Sequence, residues 1–539
     1  MATTSTRPLA DVIRRKAEED GIEFVFAQFV DMNAKPSAKL VPITNWDNMV
    51  SEGAGFAGFA AGPIGQTPAS PDMMAVPDLA SYTAVPFKPG LARFACDITV
   101  EGEEWPYCPR TILRRQLARA AELGFTFKVG MELEFFLLRE NAEGGIELAD
   151  PLDRLDQPCY DMKGLTRQYD FLSTLSRYVN QLGWGSYAND HEDANGQFES
   201  NFEFADALTT ADRAIFFRYM VHAMAQERGM LATFMAKPFG QLTGNGGHFH
   251  MSLWDRDGAV DLFADDNDPQ GLGLSKLGYH FTAGLLKHAS AYIAVTAPTV
   301  NSYKRLTTTA GTPTSGATWS PIFITYGANN RTQMLRVPGG HVEDRTVDGS
   351  CNPYLAMAVI LAAGLDGVEN ELDAGPFNDA NLYTMTREEL KAAGIELLPA
   401  NLLDATRNLA EDDVIRKALG NTGTEDYVDY FVKTKQEEWN AYHEQVTPWE
   451  VAALPHAFLA THSHPHIRRW RIVFASALPS SAGDPYHLPR SRPGRTGADR
   501  HVGCVQSSIR GSPNGATGKR PRCHIELHPD LSKLRAPPG

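Results

Sequence analysis

The chain has 539 residues, 43% of them hydrophobic and 21% charged, a length and balance that suit a soluble protein with more than one core. Its formal net charge of −15 argues against nucleic acid or an anionic membrane as the main partner. The longest apolar run, Tyr354 to Leu365, is too short to span a bilayer, and the N-terminus has no apolar signal core, so the cytoplasm is the expected compartment. Six scattered cysteines form no CxxC pair, which fits reduced thiols.

In chain order, Leu9, Val12, Ile13 and Ala17 stand at helical spacing, and Gly21 ends that helix. Glu23 to Asp31 and Lys39 to Ile43 read as strands around a turn. The Gly/Ala/Pro-rich stretch from Gly53 to Ala69 reads as a long loop, which inside a compact domain usually has a function. Arg93 to Thr99 is a strand, and the Pro-bearing segment from Trp105 to Pro109 marks a boundary between domains over 1–104 and 105–454. Helices are expected over Arg110–Leu123, Lys163–Leu182, Asp206–Arg228, Lys276–Val295 and Pro353–Leu365. Phe125 to Leu138 is a strand pair or one long strand, and several short helices follow Leu365 up to Glu444. Residues 455–539 carry thirteen Lys and Arg against four Asp and Glu, a net of +9, and their Pro/Arg/Ser bias predicts a poorly packed tail.

The chemistry lies in small constellations. In the stretch from Thr233 to Leu253 an apolar run, a Gly-rich loop and a second strand succeed one another, and His248 and His250 on that strand share a face. Glu132 and Glu134 share the face of a strand that is otherwise apolar, and buried like charges are costly unless a cation neutralises them. The segment His191-Glu192-Asp193-Ala194-Asn195-Gly196-Gln197-Phe198-Glu199 adds acids across a turn, and Glu343 and Arg345 share a face. Singly, each pattern is an ordinary polar surface. Together, five carboxylates and a histidine on separate elements are what two adjacent Mg²⁺ or Mn²⁺ sites need. Arg305, Arg331, Arg336 and Arg345 add groups suited to gripping carboxylate and phosphate. Phosphoryl transfer is the chemistry suggested.

The motifs GMELEFF, HEDANGQFE, KPF followed by GNGGHFHMS, NSYKRL, NNRTQMLRVP, VEDR and NPYLAMA stand in the order of the glutamine synthetase family, which the chain resembles from roughly Phe24 to Glu450. The resemblance implies an α+β chain, a β-grasp N-terminal domain followed by an α/β catalytic domain, in a homo-oligomer of stacked rings with a dodecamer expected. It makes Glu134, Glu192 and Glu199 ligands of the metal near glutamate, and Glu132, His248 and Glu343 ligands of the metal on the ATP phosphates. Arg305 and Arg345 become grips on glutamate and the transferring phosphate, with Gly244 near the α-amino group. His250, Ser252, Arg331 and Arg336 become ATP contacts. Tyr383 falls where some members are adenylylated, although a tyrosine there also occurs without regulation.

Two departures bear on the amine. Members that use ammonia carry one acid in a flap after Lys-Arg-Leu and another in an N-terminal loop of the neighbouring subunit. Here neither Leu306 to Asn330 nor Gly53 to Ser70 contains Asp or Glu, whereas Phe56, Phe59 and Trp319 offer apolar or cation-facing surface. That pattern is similar to γ-glutamylmethylamide synthetases. The expected activity is an ATP-dependent glutamate–amine ligase with a small alkylamine as acceptor, with ammonia as the second choice and a non-catalytic relative as the rival class.

Overall fold

The computed structural model describes residues 6–307 and 319–453. The predicted tail over 455–539 and residues 308–318 of the acid-free flap lie outside the described residues. Residues up to Ala453 form one compact unit. No helix among the described residues is long and apolar enough to cross a membrane.

The helix Thr6–Glu19 leads into a sheet ordered Pro36–Pro42, Phe24–Val30, Leu91–Val100, Met73–Pro77 and Ala54–Phe56. Phe24–Val30 and Leu91–Val100 run parallel, and the other pairs on this path are antiparallel. The stretch expected to be a loop from Gly53 to Ala69 therefore holds a strand, Ala54–Phe56, and a 3₁₀ turn, Gly58–Ala61. Gly53 makes this possible: its φ of +83° is left-handed, and a Cβ there would stand 2.7 Å from the Ala75 carbonyl oxygen.

Two further sheets hold the chemistry. One runs Thr126–Met131, Phe249–Trp254, Val342–Asp344, Leu335–Arg336 and Tyr326–Gly327; the other runs Ile146–Leu148, Leu133–Glu140, Gln197–Phe202 and Ser186–His191. The segment expected to be a strand pair or one long strand is thus two strands that belong to different sheets. Glu132 sits at the break, where its N–H donates to the His248 carbonyl at 3.0 Å. The early apolar run of the Thr233 stretch is only the end of the short strand Leu231–Thr233, and His248 precedes its strand rather than lying within it.

Helices pack behind these sheets. Lys276–Thr296 and Pro353–Glu369 approach so closely that a Cβ on Gly284 would lie 2.1 Å from the Ala363 carbonyl oxygen. Asn352 caps the second helix by accepting from Tyr354 and Leu355 N–H, and its amide donates to the Asp31 and Met32 carbonyls of the N-terminal sheet. The predicted helix Lys163–Leu182 is two, Met162–Arg167 and Tyr169–Gln181, with Gln168 between them at φ −100°, ψ 11°. The first of these is placed by Gly164, where a Cβ would strike the His191 ring at 2.3 Å. The expected run of short helices includes a long one, Tyr427–His443.

Candidate active site

A cavity of about 900 Å³ opens between the two sheets. Glu132, Glu134, Glu192, Glu199, Gly244, His248, His250, Arg305, Arg331, Arg336, Glu343 and Arg345 all line it. Ser252, the other residue expected on the nucleotide, is not among the lining residues: it is buried one pleat further along the strand and accepts a hydrogen bond from the Trp254 indole at 2.8 Å. Strand alternation gives His250 and Ser252 a common face, and the cavity ends near His250. Phe56 and Phe59 do not line this chain's own cavity, whereas Trp319 does. Phe56 packs edge-on against Phe29 with ring centroids 4.9 Å apart.

Three carboxylates stand in a row across one sheet, because Glu199 pairs directly with Glu134 on one side and with Asp190 on the other. Like charges directly opposite are unfavourable, and these are also shielded from water. Burial, then Glu134 and Asp190, push the Glu192 carboxyl up to about 8. Burial, then Glu132, Glu192 and Glu134, raise Glu199 well above the usual carboxylate range. A divalent cation would supply the charge this set lacks, and its oxygen donors would suit Mg²⁺ or Mn²⁺.

The second set is balanced differently. Glu132 lies 3.5 Å from His248 Nδ1 and 3.1 Å from His250 Nε2. Burial opposes its ionisation, but the two imidazoles outweigh that and hold it below the usual range. Glu343 accepts from Arg336 at 2.6 Å and from Arg345 at 2.9 Å, and lies 3.6 Å from His248 Nδ1. Burial would raise its pKa, yet Arg345 and His250 bring it to about 2. Ligand atoms of Glu132, His250 and Glu343 lie within 4.8 Å of one another, so His250, expected on the nucleotide, also stands where it could join these two acids on a metal, with His248 nearby. Arg305 is held by the Thr346 and Arg345 carbonyls at 3.1 and 2.9 Å.

Several cavity residues were not singled out from the sequence. Lys237 is buried beside Arg305, and burial followed by that arginine lowers its pKa. His341 shares a hydrogen bond of 2.9 Å with His250. Tyr160 and Tyr187 are exposed at the rim. Asp153 accepts from the His191 ring, Asn195 and the Gly196 N–H, and so shapes the turn that carries Glu192. The KPF and HEDANGQFE motifs already contained Lys237 and Gln197, but distant partners such as Asp153 left no local signal.

Residues 106–454 match the family model described as glutamine synthetase, catalytic domain. The chain belongs to the glutamine synthetase family. A glutamate–methylamine ligase of Methyloversatilis universalis is 48% identical over 80% of this chain and 96% of its own length. A glutamine synthetase of Rhizobium meliloti is 44% identical over 80% of this chain and 97% of its own. A solved structure described as a GmaS/ADP complex superposes with a TM-score of 0.75 at 46% identity, covering 81% of this chain and 98% of that one. The mixed α/β catalytic architecture is therefore that of glutamine synthetases.

Proposed function

We propose that this member of the family is an ATP-dependent glutamate–amine ligase that forms a γ-glutamylamide through γ-glutamyl phosphate, with methylamine or another small alkylamine as acceptor. The observation that carries the ligase reading is the convergence of two carboxylate sets and buried arginines on one cavity. The amine reading rests on the absence of Asp and Glu from 53–70 and 306–330, on Trp319 at the cavity wall, and on the similarity to a glutamate–methylamine ligase.

Glu134, Glu192 and Glu199 would hold one metal ion, and Glu132, Glu343 and the His248/His250 pair a second. Such ions supply charge neutralisation for the ATP phosphates and the transferring phosphoryl group. The chain's own residues orient the reactants. Arg305 and Arg345, fixed by carbonyls and by Glu343, present guanidinium N–H groups where negative charge develops when the γ-carboxylate attacks the γ-phosphate. Gly244, whose loop would stand near the glutamate α-amino group, must be glycine for packing, since a Cβ there would lie 2.3 Å from the Ala236 carbonyl oxygen. The amine then displaces phosphate, losing a proton as the amide forms. Residues 1–104 are read as the β-grasp domain, 105–454 as the catalytic domain and the whole as one subunit of a stacked-ring oligomer, a dodecamer, acting in the cytoplasm. Phosphate release by the purified chain with ATP, Mg²⁺ and glutamate across a panel of amines tests the proposal. Amine-independent hydrolysis, or no release with any amine, overturns it.

A further inference from the structure

Gln197 is fully buried at the start of the strand Gln197–Phe202, directly after the turn that carries Glu192. Its Oε1 accepts from the Ala194 N–H at 3.1 Å, which fixes the direction of the amide. Nε2 then faces three acceptors: Glu134 Oε2 at 3.0 Å, the Gly244 carbonyl at 3.1 Å and Asn245 Oδ1 at 2.9 Å. Asn245 is itself fixed, because its amide donates to the Thr233 and Met235 carbonyls at 3.2 and 2.9 Å. A primary amide has two N–H groups, so three acceptors share them and each depends on where the others sit. Glu134 Oε2 also accepts from the Gly246 N–H at 2.8 Å, while Oε1 points towards His248 Nε2 at 4.0 Å. One oxygen of Glu134 is thus tied to the glycine loop and the other is presented to the cavity. A Cβ on Gly246 would lie 2.4 Å from His248 Nε2 and 3.0 Å from Glu134 Oε1, so any larger residue there must displace these two side chains.

We infer that Gln197 is a positioning residue that joins the metal-side carboxylate Glu134 to the glutamate-side loop Gly244–Gly246, so that cation binding and glutamate binding reinforce each other. The inference rests on the proposed ligase reading for the assignment of the two sides. A cation on Glu134 fixes that carboxylate, the shared amide then fixes the Gly244 peptide, and glutamate meets a loop already ordered. Linkage makes the effect reciprocal: glutamate tightens cation binding by the same factor. A second tie runs beside it, where the Thr243 hydroxyl donates to buried Asp193.

The test uses the full chain and two variants. Gln197→Met keeps the volume and removes both donors; Gln197→Asn keeps the amide and shortens its reach by a methylene. Mn²⁺ binding is measured by titration calorimetry without ATP, and KM for glutamate and for ATP by phosphate release. Removing a group that orients a metal ligand costs about 10–100-fold in affinity, so Gln197→Met is expected to weaken Mn²⁺ binding at least about tenfold. Its KM for glutamate rises by a similar factor, while KM for ATP stays within about threefold and the far-ultraviolet circular dichroism is unchanged. A merely structural role would move both KM values and the spectrum together, and that result overturns the inference. A folded Gln197→Met with Mn²⁺ affinity and glutamate KM within about twofold of the parent also overturns it. If Gln197→Met does not fold, Gln197→Asn decides on the same two readouts. Failure of the ligase reading shows separately, as an absence of amine-dependent turnover in the parent chain, and the Mn²⁺ titration still reports on Gln197.

Discussion

Glu192→Gln separates stability from function, because the same charge that recruits a cation burdens the metal-free fold. In the folded chain burial and the carboxylates of Glu134 and Asp190 push Glu192 from its ordinary 4.5 up to about 8. Between those values the folded state holds a proton that the unfolded state has released, so stability falls as pH rises from about 4.5 to about 8. At pH 7 the window traversed is about 2.5 pH units at ~1.4 kcal/mol each, an upper bound of about 3.5 kcal/mol. Relaxation of the cavity reduces this, and a gain of about 1–3 kcal/mol is expected when glutamine replaces the acid. The assay is urea denaturation at pH 5, 7 and 8.5, in EDTA and in saturating Mn²⁺. In EDTA the variant should be more stable than the parent at pH 7 and 8.5 and nearly equal to it at pH 5. In Mn²⁺ the order should reverse, because the parent gains binding free energy that the variant loses. A variant less stable than the parent in EDTA at pH 8.5 would refute the account of the carboxylate row, and unchanged Mn²⁺ affinity would refute the ligand role.

Further expectations concern other parts of the molecule. Glu343→Gln and Glu134→Ala should each lower kcat at least about a hundredfold, on the scale of losing one preorganised electrostatic contact. Near-normal turnover in saturating Mg²⁺ would exclude either role. Glu343→Ala should in addition destabilise the fold by about 3–5 kcal/mol, since Arg345 would lose its buried partner, and denaturant titration reads this. His288 bonds Asp412 at 2.6 Å and Asp366 at 3.0 Å; burial lowers its pKa, but these carboxylates outweigh burial and raise it. Its stabilisation is present below about pH 6.5 and is lost as pH rises through the folded value, so the deficit of His288→Asn, about 1–2 kcal/mol, should shrink towards pH 8.5. A deficit independent of pH counts against the ion pairs. Trp319→Ala should lower kcat/KM for methylamine about tenfold and for ammonia less, since one methyl in an apolar site is worth ~1–3 kcal/mol; equal losses would remove Trp319 from amine selection.

Much of the site was legible because its chemistry is written in short patterns whose geometry is local. Alternation along a strand predicts that acids two residues apart face together, and Glu132 and Glu134 do reach one cavity. They do so for a different reason than alternation alone. The chain changes sheets at Glu132, and hydrogen bonds to the 246–248 loop hold the break. Ser252 shows the limit of the same rule, for a shared face says nothing about where a cavity ends. The helix break at Gln168 was hidden in a continuous amphipathic pattern, and so was the close approach of Gly164 to the His191 ring, a tertiary contact.

The partition of charge between the two carboxylate sets was illegible for the same reason, and it bears most directly on mechanism. Glu343 and Glu132 carry arginine and imidazole partners that arrive from other strands, so their ionised forms are stable before any ligand binds. Glu192 and Glu199 have acids as their main charged neighbours. A cation entering the cavity therefore releases more electrostatic strain beside Glu134, Glu192 and Glu199 than beside Glu343, where it must compete with Arg336 and Arg345. The set read as the glutamate side should fill first, at lower Mn²⁺ concentration, and the set read as the ATP side should fill fully only when phosphate oxygens arrive to draw the arginines away. Calorimetric titration with and without a non-hydrolysable ATP analogue distinguishes this order, and two equal, independent sites in the absence of nucleotide would refute it.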